Sequence, residues 1–215
     1  MRRAGLVGGL GPESTIDYYH RIVEAVPDAE IIINSIVIQK MIEYISNDRA
    51  AAADYLVRAI EQLARAGAGF AAITAITPHI VFDRVVPRSA LPLISIVDAA
   101  RNAARERGLQ RLGLFATRFT MQARLYGDAI TPAAAEQDVI HDKYMNELLK
   151  GTFRDATREQ LLRIADRLID EHHIDGLILG GTELPLLLRD KSYRGIPLLD
   201  TTAIHVEAIV RAIQS

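Results

Sequence analysis

The chain has 215 residues, 49% of them hydrophobic and 24% charged, with a formal net charge of −2 and no cysteine. The length fits one large or two small domains, and the apolar share is enough to bury a core. The missing cysteines exclude disulfides, zinc–thiolate sites, iron–sulfur clusters and thiol nucleophiles together. With 25 basic against 27 acidic residues, no Trp and 6% aromatics, neither an electrostatic footprint nor a stacking platform for nucleic acid is present.

The first run, Met1-Arg2-Arg3-Ala4-Gly5-Leu6-Val7, has the opening charge of a signal peptide. Gly11-Pro12-Glu13 cuts its apolar stretch short, so residues 5–7 read as the first strand of a cytoplasmic protein. Residues 14–26 place Ile16, Tyr19, Ile22 and Val23 at helical spacing. Tyr18 or Tyr19 is expected in the core. Residues 30–37 are β-branched and predict a strand. A helix over 50–66, carrying Tyr55, Leu56, Ile60 and Leu63, ends at Gly67 and Gly69. A strand over 70–75 runs into a turn at Thr77-Pro78-His79. Residues 93–96 predict a strand, 98–107 a helix, 111–115 a strand and 158–171 a helix. Strands at 176–179 and 198–199 and a helix over 204–213 complete the pattern. The apolar runs at 69–76 and 174–179 fall far short of the roughly 18–20 residues that cross a membrane. Alternation of buried-type strands with helices predicts an α/β fold with parallel sheets.

The chain also echoes itself. Gly5-Leu6-Val7-Gly8 matches Gly113-Leu114-Phe115-Ala116, Ala68–Ile73 matches Ile174–Leu179, and Leu91–Ser95 matches Ile196–Asp200, at offsets of 108, 106 and 105 residues. Each match ends at the carboxyl end of an expected strand. The expectation is two pseudo-symmetric α/β domains facing a central cleft: 1–97 with 207–215, and 98–206. In open parallel sheets ligands sit beyond the carboxyl ends of strands.

Small and hydroxyl-bearing segments cluster at those ends. Backbone N–H groups at helix starts, with Ser14, Thr77, Thr120 and Thr182, suit a carboxylate or phosphate. Each of the four taken alone reads first as an ordinary N-cap. Gly8-Gly9-Leu10-Gly11 lacks the lysine of a nucleotide loop and the spacing of a dinucleotide fingerprint. No His, Asp and Glu set has metal-ligand spacing, and His172-His173 reads as an exposed helix end.

Four segments in order, Gly8-Gly9-Leu10-Gly11-Pro12-Glu13-Ser14-Thr15, Ala75-Ile76-Thr77-Pro78-His79, Thr117-Arg118-Phe119-Thr120-Met121-Gln122 and Gly180-Gly181-Thr182-Glu183-Leu184, carry a resemblance. The chain resembles the aspartate/glutamate racemase superfamily, close to its aspartate racemase branch, over nearly its whole length. The resemblance implies a cofactor-independent amino-acid racemase, a small carboxylate or amino-acid ligand in the interdomain cleft, no nucleic-acid or membrane partner, and a homodimer. It also implies two cysteines, one removing the Cα proton and the other returning one on the opposite face. This sequence has Ala75 and Gly181 at those positions, and Ile76 in place of an Asn. Neither Ala75 nor Gly181 can titrate, so the ordinary two-thiol mechanism cannot operate.

Candidate substitutes as acid or base are His79, Glu183 and Glu13, each of which reads also as a structural or capping residue. For a carboxylate the resemblance implies cations near Lys40, just after the second strand, and Lys150, 31 residues before Gly181; Arg118 is a third candidate, suited to bidentate contact. Gly9, Leu10, Ile76, Thr77, Thr117, Thr120 and Thr182 complete the expected binding set. Two other readings stay open: a cofactor-free lyase or isomerase on the same fold, and a non-catalytic carboxylate-binding or regulatory protein.

Overall fold

A computed structural model describes residues Met1–Ser215. The chain divides into two compact units, Met1–Ala99 with Thr202–Ser215, and Ala100–Thr201. In the first unit β1 (Ala4–Gly8) feeds α1 (Pro12–Ala25), and β2 (Ile31–Ser35) feeds α2 (Ile38–Asn47) and α3 (Arg49–Arg65). Next, β3 (Phe70–Ile73) leads through a 3-10 turn at Thr77–Val81 to α4 (Phe82–Val85), and β4 (Leu93–Ile94) leads to α5 (Ile96–Glu106). The four strands form one parallel sheet in the order β2-β1-β3-β4.

Side chains alternate across this sheet, as strand geometry requires. Val7, Ala71 and Ile73 face the helices α2 and α3, packing with Met41, Ile45, Leu56, Ile60 and Leu63. Leu6, Phe70 and Ala72 face the other way, toward Tyr18 and Ile22 of α1. Burial on both faces is why the central strands read as unbroken apolar runs. Asp48 starts α3 by accepting from the N–H groups of Ala50 and Ala51, both at 3.0 Å. Gly67 ends it with a φ of 91°, a left-handed turn that suits glycine.

In the second unit β5 (Leu112–Ala116) is followed by α6 (Arg118–Gln122), α7 (Ala134–Asn146), a 3-10 turn at Leu148–Lys150 and α8 (Asp155–His172). Then come β6 (Gly176–Gly180), α9 (Leu184–Leu187), β7 (Ser192–Tyr193), β8 (Ile196–Asp200) and α10 (Thr201–Gln214). The sheet order is β5-β6-β8-β7, parallel except for the β7 edge, which runs antiparallel to β8. Phe115, Leu177, Leu179 and Leu198 pack against Ile140 and Tyr144 of α7 and Leu161, Ile164 and Leu168 of α8.

The three echoed segments form equivalent strands: β1-β3-β4 in one sheet and β5-β6-β8 in the other, each set adjacent and parallel. Beside β5, where the first sheet has β2, the second has only a bridge from Gly113 to Ile130. Residues 98–99 and 202–206, expected in the second half, belong to the first unit. Val206 packs there with Leu6 and Phe70, and His205 bonds to Tyr18 and Ile94. No helix is long and apolar enough to cross a membrane.

Candidate active site

In the first unit the loop after β1 is held by its own backbone. Gly9 has a φ of 77°, and its N–H donates to Thr15 Oγ1 at 3.0 Å. A side chain at Gly9 would run into Ile36, with its Cβ 2.9 Å from the Ile36 nitrogen. Leu10 is buried in the core beside Val7. Ser14 is fully buried, and its hydroxyl donates to the Thr74 carbonyl at 3.0 Å. The Thr74 hydroxyl in turn donates to the Val7 carbonyl at 3.2 Å. These bonds tie the ends of β1 and β3 to the start of α1.

Ala75 and Ile76 are buried just beyond β3, and Thr77 opens the 3-10 turn with Pro78. His79 is buried and stacks on Phe82 at 4.7 Å. Its Nδ1 lies 3.0 Å from the Ala75 carbonyl. A carbonyl only accepts, so Nδ1 carries the proton and Nε2 presents a lone pair. That Nε2 has no hydrogen-bond partner in the protein. Burial holds the imidazole down to about 4, against the backbone bonds that favour its charged form.

A second buried histidine escaped the sequence reading. His205 donates from Nε2 to the Ile94 carbonyl at 3.0 Å and accepts from the Tyr18 hydroxyl at 2.7 Å. Burial pulls it down to about 3. Its signal was available: it is the one ionisable side chain among the buried residues of an apolar helix. Tyr18 is the core tyrosine, whereas Tyr19 is half exposed. Glu13 and Lys40 are exposed, on α1 and α2 respectively.

In the second unit Thr117 caps α6, its Oγ1 accepting from the Thr120 N–H at 3.3 Å. The expectation that Ser14, Thr77, Thr120 and Thr182 are themselves N-caps is therefore corrected. The residues preceding the four helical segments are Gly11, Ile76, Thr117 and Glu183. Arg118 is half exposed and pairs with Asp138 at 3.1 Å. Its N–H lies 3.4 Å from His141 Nδ1. Lys150 is exposed, with its Nζ 3.5 Å from Asn146 Oδ1. His173 ends α8 exposed, in a left-handed conformation.

β6 ends at Gly180, and beyond it lie Gly181, Thr182 and Glu183, all buried. The Thr182 hydroxyl donates to Glu183 Oε2 at 3.0 Å. The Tyr144 hydroxyl, reaching in from α7, donates to the same oxygen. Burial first, and then the Glu183 carboxylate, push the Tyr144 phenol well above its usual range. The ring edge crowds Gly181. A Cβ built there would sit 3.0 Å from Tyr144 Cζ and 3.1 Å from Oη, and nearer still to Cε2. Tyr144 was missed because α7 was not read as a helix, although Ile140, Tyr144 and Leu148 recur every four residues. No three His, Asp or Glu side chains are grouped to hold a metal ion.

Residues 7–209 match the model of the family described as Asp/Glu/Hydantoin racemase. Among solved structures, a candidate Asp/Glu racemase from Yersinia pestis is 29% identical, with all of both chains covered and a TM-score of 0.86. An aspartate racemase homologue from Pyrococcus horikoshii OT3 is also 29% identical over the whole of both chains, at 0.81. Glutamate racemase from Thermus thermophilus, solved with beta-chloro-D-alanine, shares the fold at 0.76 and 19% identity, over 99% of this chain and 80% of that one. An uncharacterised Pectobacterium carotovorum protein is 31% identical over 110 residues, 46% of this chain and 69% of its own length.

Proposed function

The chain belongs to the Asp/Glu/hydantoin racemase family, and from that premise we propose that it binds a small carboxylic acid of the amino-acid class without interconverting enantiomers through a pair of thiols. One observation carries this. The sequence contains no cysteine, and the two positions where the resemblance puts thiols are Ala75 and Gly181. At Gly181 the loss is matched in the surroundings, because the Tyr144 ring fills the space a side chain would need.

The binding part of the reading rests on the ends of β5 and β6. Thr117, Thr120 and Thr182 offer hydroxyls there, and Arg118 is a guanidinium one residue beyond the α6 cap. A planar guanidinium matches a carboxylate in two parallel hydrogen bonds. Its exposed pair with Asp138 is weak enough to exchange for a ligand. Lys150 is a further cation of this unit, and Lys40 of the other, each on an exposed surface. The proposed chemistry asks for no cofactor.

The test is a panel of aspartate, glutamate and other small mono- and dicarboxylates, read by thermal unfolding and by chiral chromatography. A bound acid at a hundred times its Kd should stabilise the fold by about 2.7 kcal/mol. Arg118→Ala should weaken that effect, and no enantiomer should interconvert. Interconversion of either aspartate or glutamate would overturn the proposal, as would a panel in which no acid stabilises the chain.

A further inference from the structure

The buried Tyr144 and Glu183 side chains find no use in binding alone. A tyrosine hydroxyl and a carboxylate, both out of water and bonded to each other, cost desolvation on each side. Two apolar residues of similar volume would fill the same space at no such cost. Yet the pair is placed at a strand end where a glycine, Gly181, leaves the backbone bare. Tyr144 Oη lies 3.1 Å from the point where a Cβ on residue 181 would stand. A thiol there and the phenol oxygen contend for one small volume.

We infer that Tyr144 and Glu183 form a proton relay that takes the place of a residue-181 thiol, removing and returning the Cα proton of a bound acid on a single face. The inference rests on the carboxylic-acid reading above. The hydroxyl proton of Tyr144 already points to Glu183 Oε2. In the step proposed, the Cα–H bond breaks and its proton joins the phenol oxygen. The phenol's original proton passes to the Glu183 carboxylate, and the electron pair stays on Cα, spread into the substrate carboxylate. Arg118 supplies positive charge for the substrate carboxylate, as preorganised donors do for developing oxyanions. Reversal returns a proton to the same face. Thr182, donating to Glu183 Oε2 at 3.0 Å, holds the carboxylate in line.

In the first unit, the position where the resemblance puts the other thiol offers no acid or base for inversion. Ala75 carries no titratable atom. His79 is buried and stacked on Phe82, with Nδ1 committed to the Ala75 carbonyl at 3.0 Å, and its unpartnered Nε2 is a weak base because burial holds the ring down to about 4. Exchange with retention is therefore the expected outcome, as distinct from racemisation.

The experiment incubates each acid that stabilises the chain with the whole protein in deuterated water. Proton NMR reads loss of the Cα–H signal, and chiral chromatography reads configuration. Deuterium should enter with configuration retained. Tyr144→Phe keeps the ring and should slow exchange by about 100-fold or more. Glu183→Gln keeps an acceptor for the phenol but removes the base, and should do the same. Thermal stabilisation by the acid, measured on each variant, separates lost chemistry from lost binding. Stabilisation without exchange in the unmodified chain would overturn the relay and leave the binding proposal standing. Exchange that persists in Tyr144→Phe would also overturn it. A chain that no acid stabilises overturns both readings.

Discussion

Placing a methyl group on residue 181 probes the Tyr144 contact directly. In Gly181→Ala the new Cβ would lie 3.0 Å from Tyr144 Cζ and 3.1 Å from Oη, with Cε2 closer. Carbon atoms rest at about 3.5–4.0 Å. The ring must therefore withdraw by half an ångström or more, and it has little room, being 6% exposed in a packed cluster. Withdrawal also stretches the hydrogen bond to Glu183. Overpacking of this kind costs about 1–3 kcal/mol, and loosening a bond to a charged group adds to it. Against that, Ala in place of Gly returns about 0.4–1 kcal/mol by restricting the unfolded chain. The net expectation is a loss of about 1–3 kcal/mol, read as a lower urea midpoint at an unchanged slope. Tyr144→Leu on its own removes the ring and its bond. Combined with Gly181→Ala it should show a coupling of about 1 kcal/mol or more, since the added methyl then has space. A Gly181→Ala protein within about 0.5 kcal/mol of its parent, or strictly additive effects, would refute the claim that ring and side chain compete.

Three further outcomes are expected. His79 and His205 have folded values of about 4 and about 3, below the unfolded 6.5. Stability is thus full above about pH 6.5 and falls as pH drops, by up to about 1.4 kcal/mol per pH unit for each histidine until its folded value is reached; a urea midpoint that does not change between pH 7.5 and 5.5 would contradict both burials. Gly9→Ala puts a side chain at a φ of 77° with its Cβ 2.9 Å from the Ile36 nitrogen, so it should lose about 1–3 kcal/mol from backbone strain alone, whereas a neutral result in chemical denaturation would show that the loop can open. Thr117→Ala should lose about 1 kcal/mol with the α6 cap and Thr117→Ser much less, whereas equal losses in equilibrium unfolding of the two variants would show that the hydroxyl does not bond to the Thr120 N–H.

What could be read in advance follows from where the physics is local. The central strands β1, β3, β5 and β6 are buried on both faces and announce themselves as short apolar runs. Their carboxyl ends followed, and with them the segments holding Ala75, Thr117 and Gly181. The helix α2 carries Ile38, Met41 and Ile45 at helical spacing, yet it follows β2 so closely that it went unread. In α7 the apolar positions are interrupted by charges on several sides, which hid the helix and Tyr144 with it. The partnerships of Tyr144 with Glu183 and of Tyr18 with His205 span 39 and 187 residues. Nothing in a linear pattern couples residues so far apart; only the strand order does. The hydroxyl residues were misassigned as caps for the opposite reason. Local propensity favours Ser14 as a cap, but the fold supplies the Thr74 carbonyl, just beyond β3, that it bonds instead.

The composition of the first unit from two stretches of chain has a consequence for synthesis. Val206, Ile209 and Ile213 pack on Leu6, Tyr18, Ile22 and Phe70. On the ribosome those early residues emerge long before their partners, with all of Ala100–Thr201 in between. Until α10 is made, that face of the first sheet is covered by α1 alone and stays partly bare and apolar, a surface on which nascent chains can stick to one another. The second unit is made from one continuous stretch and can close as it emerges. The order of completion is thus the reverse of the order in which the two units begin, and the time spent translating the second sets how long the first must be kept from aggregation.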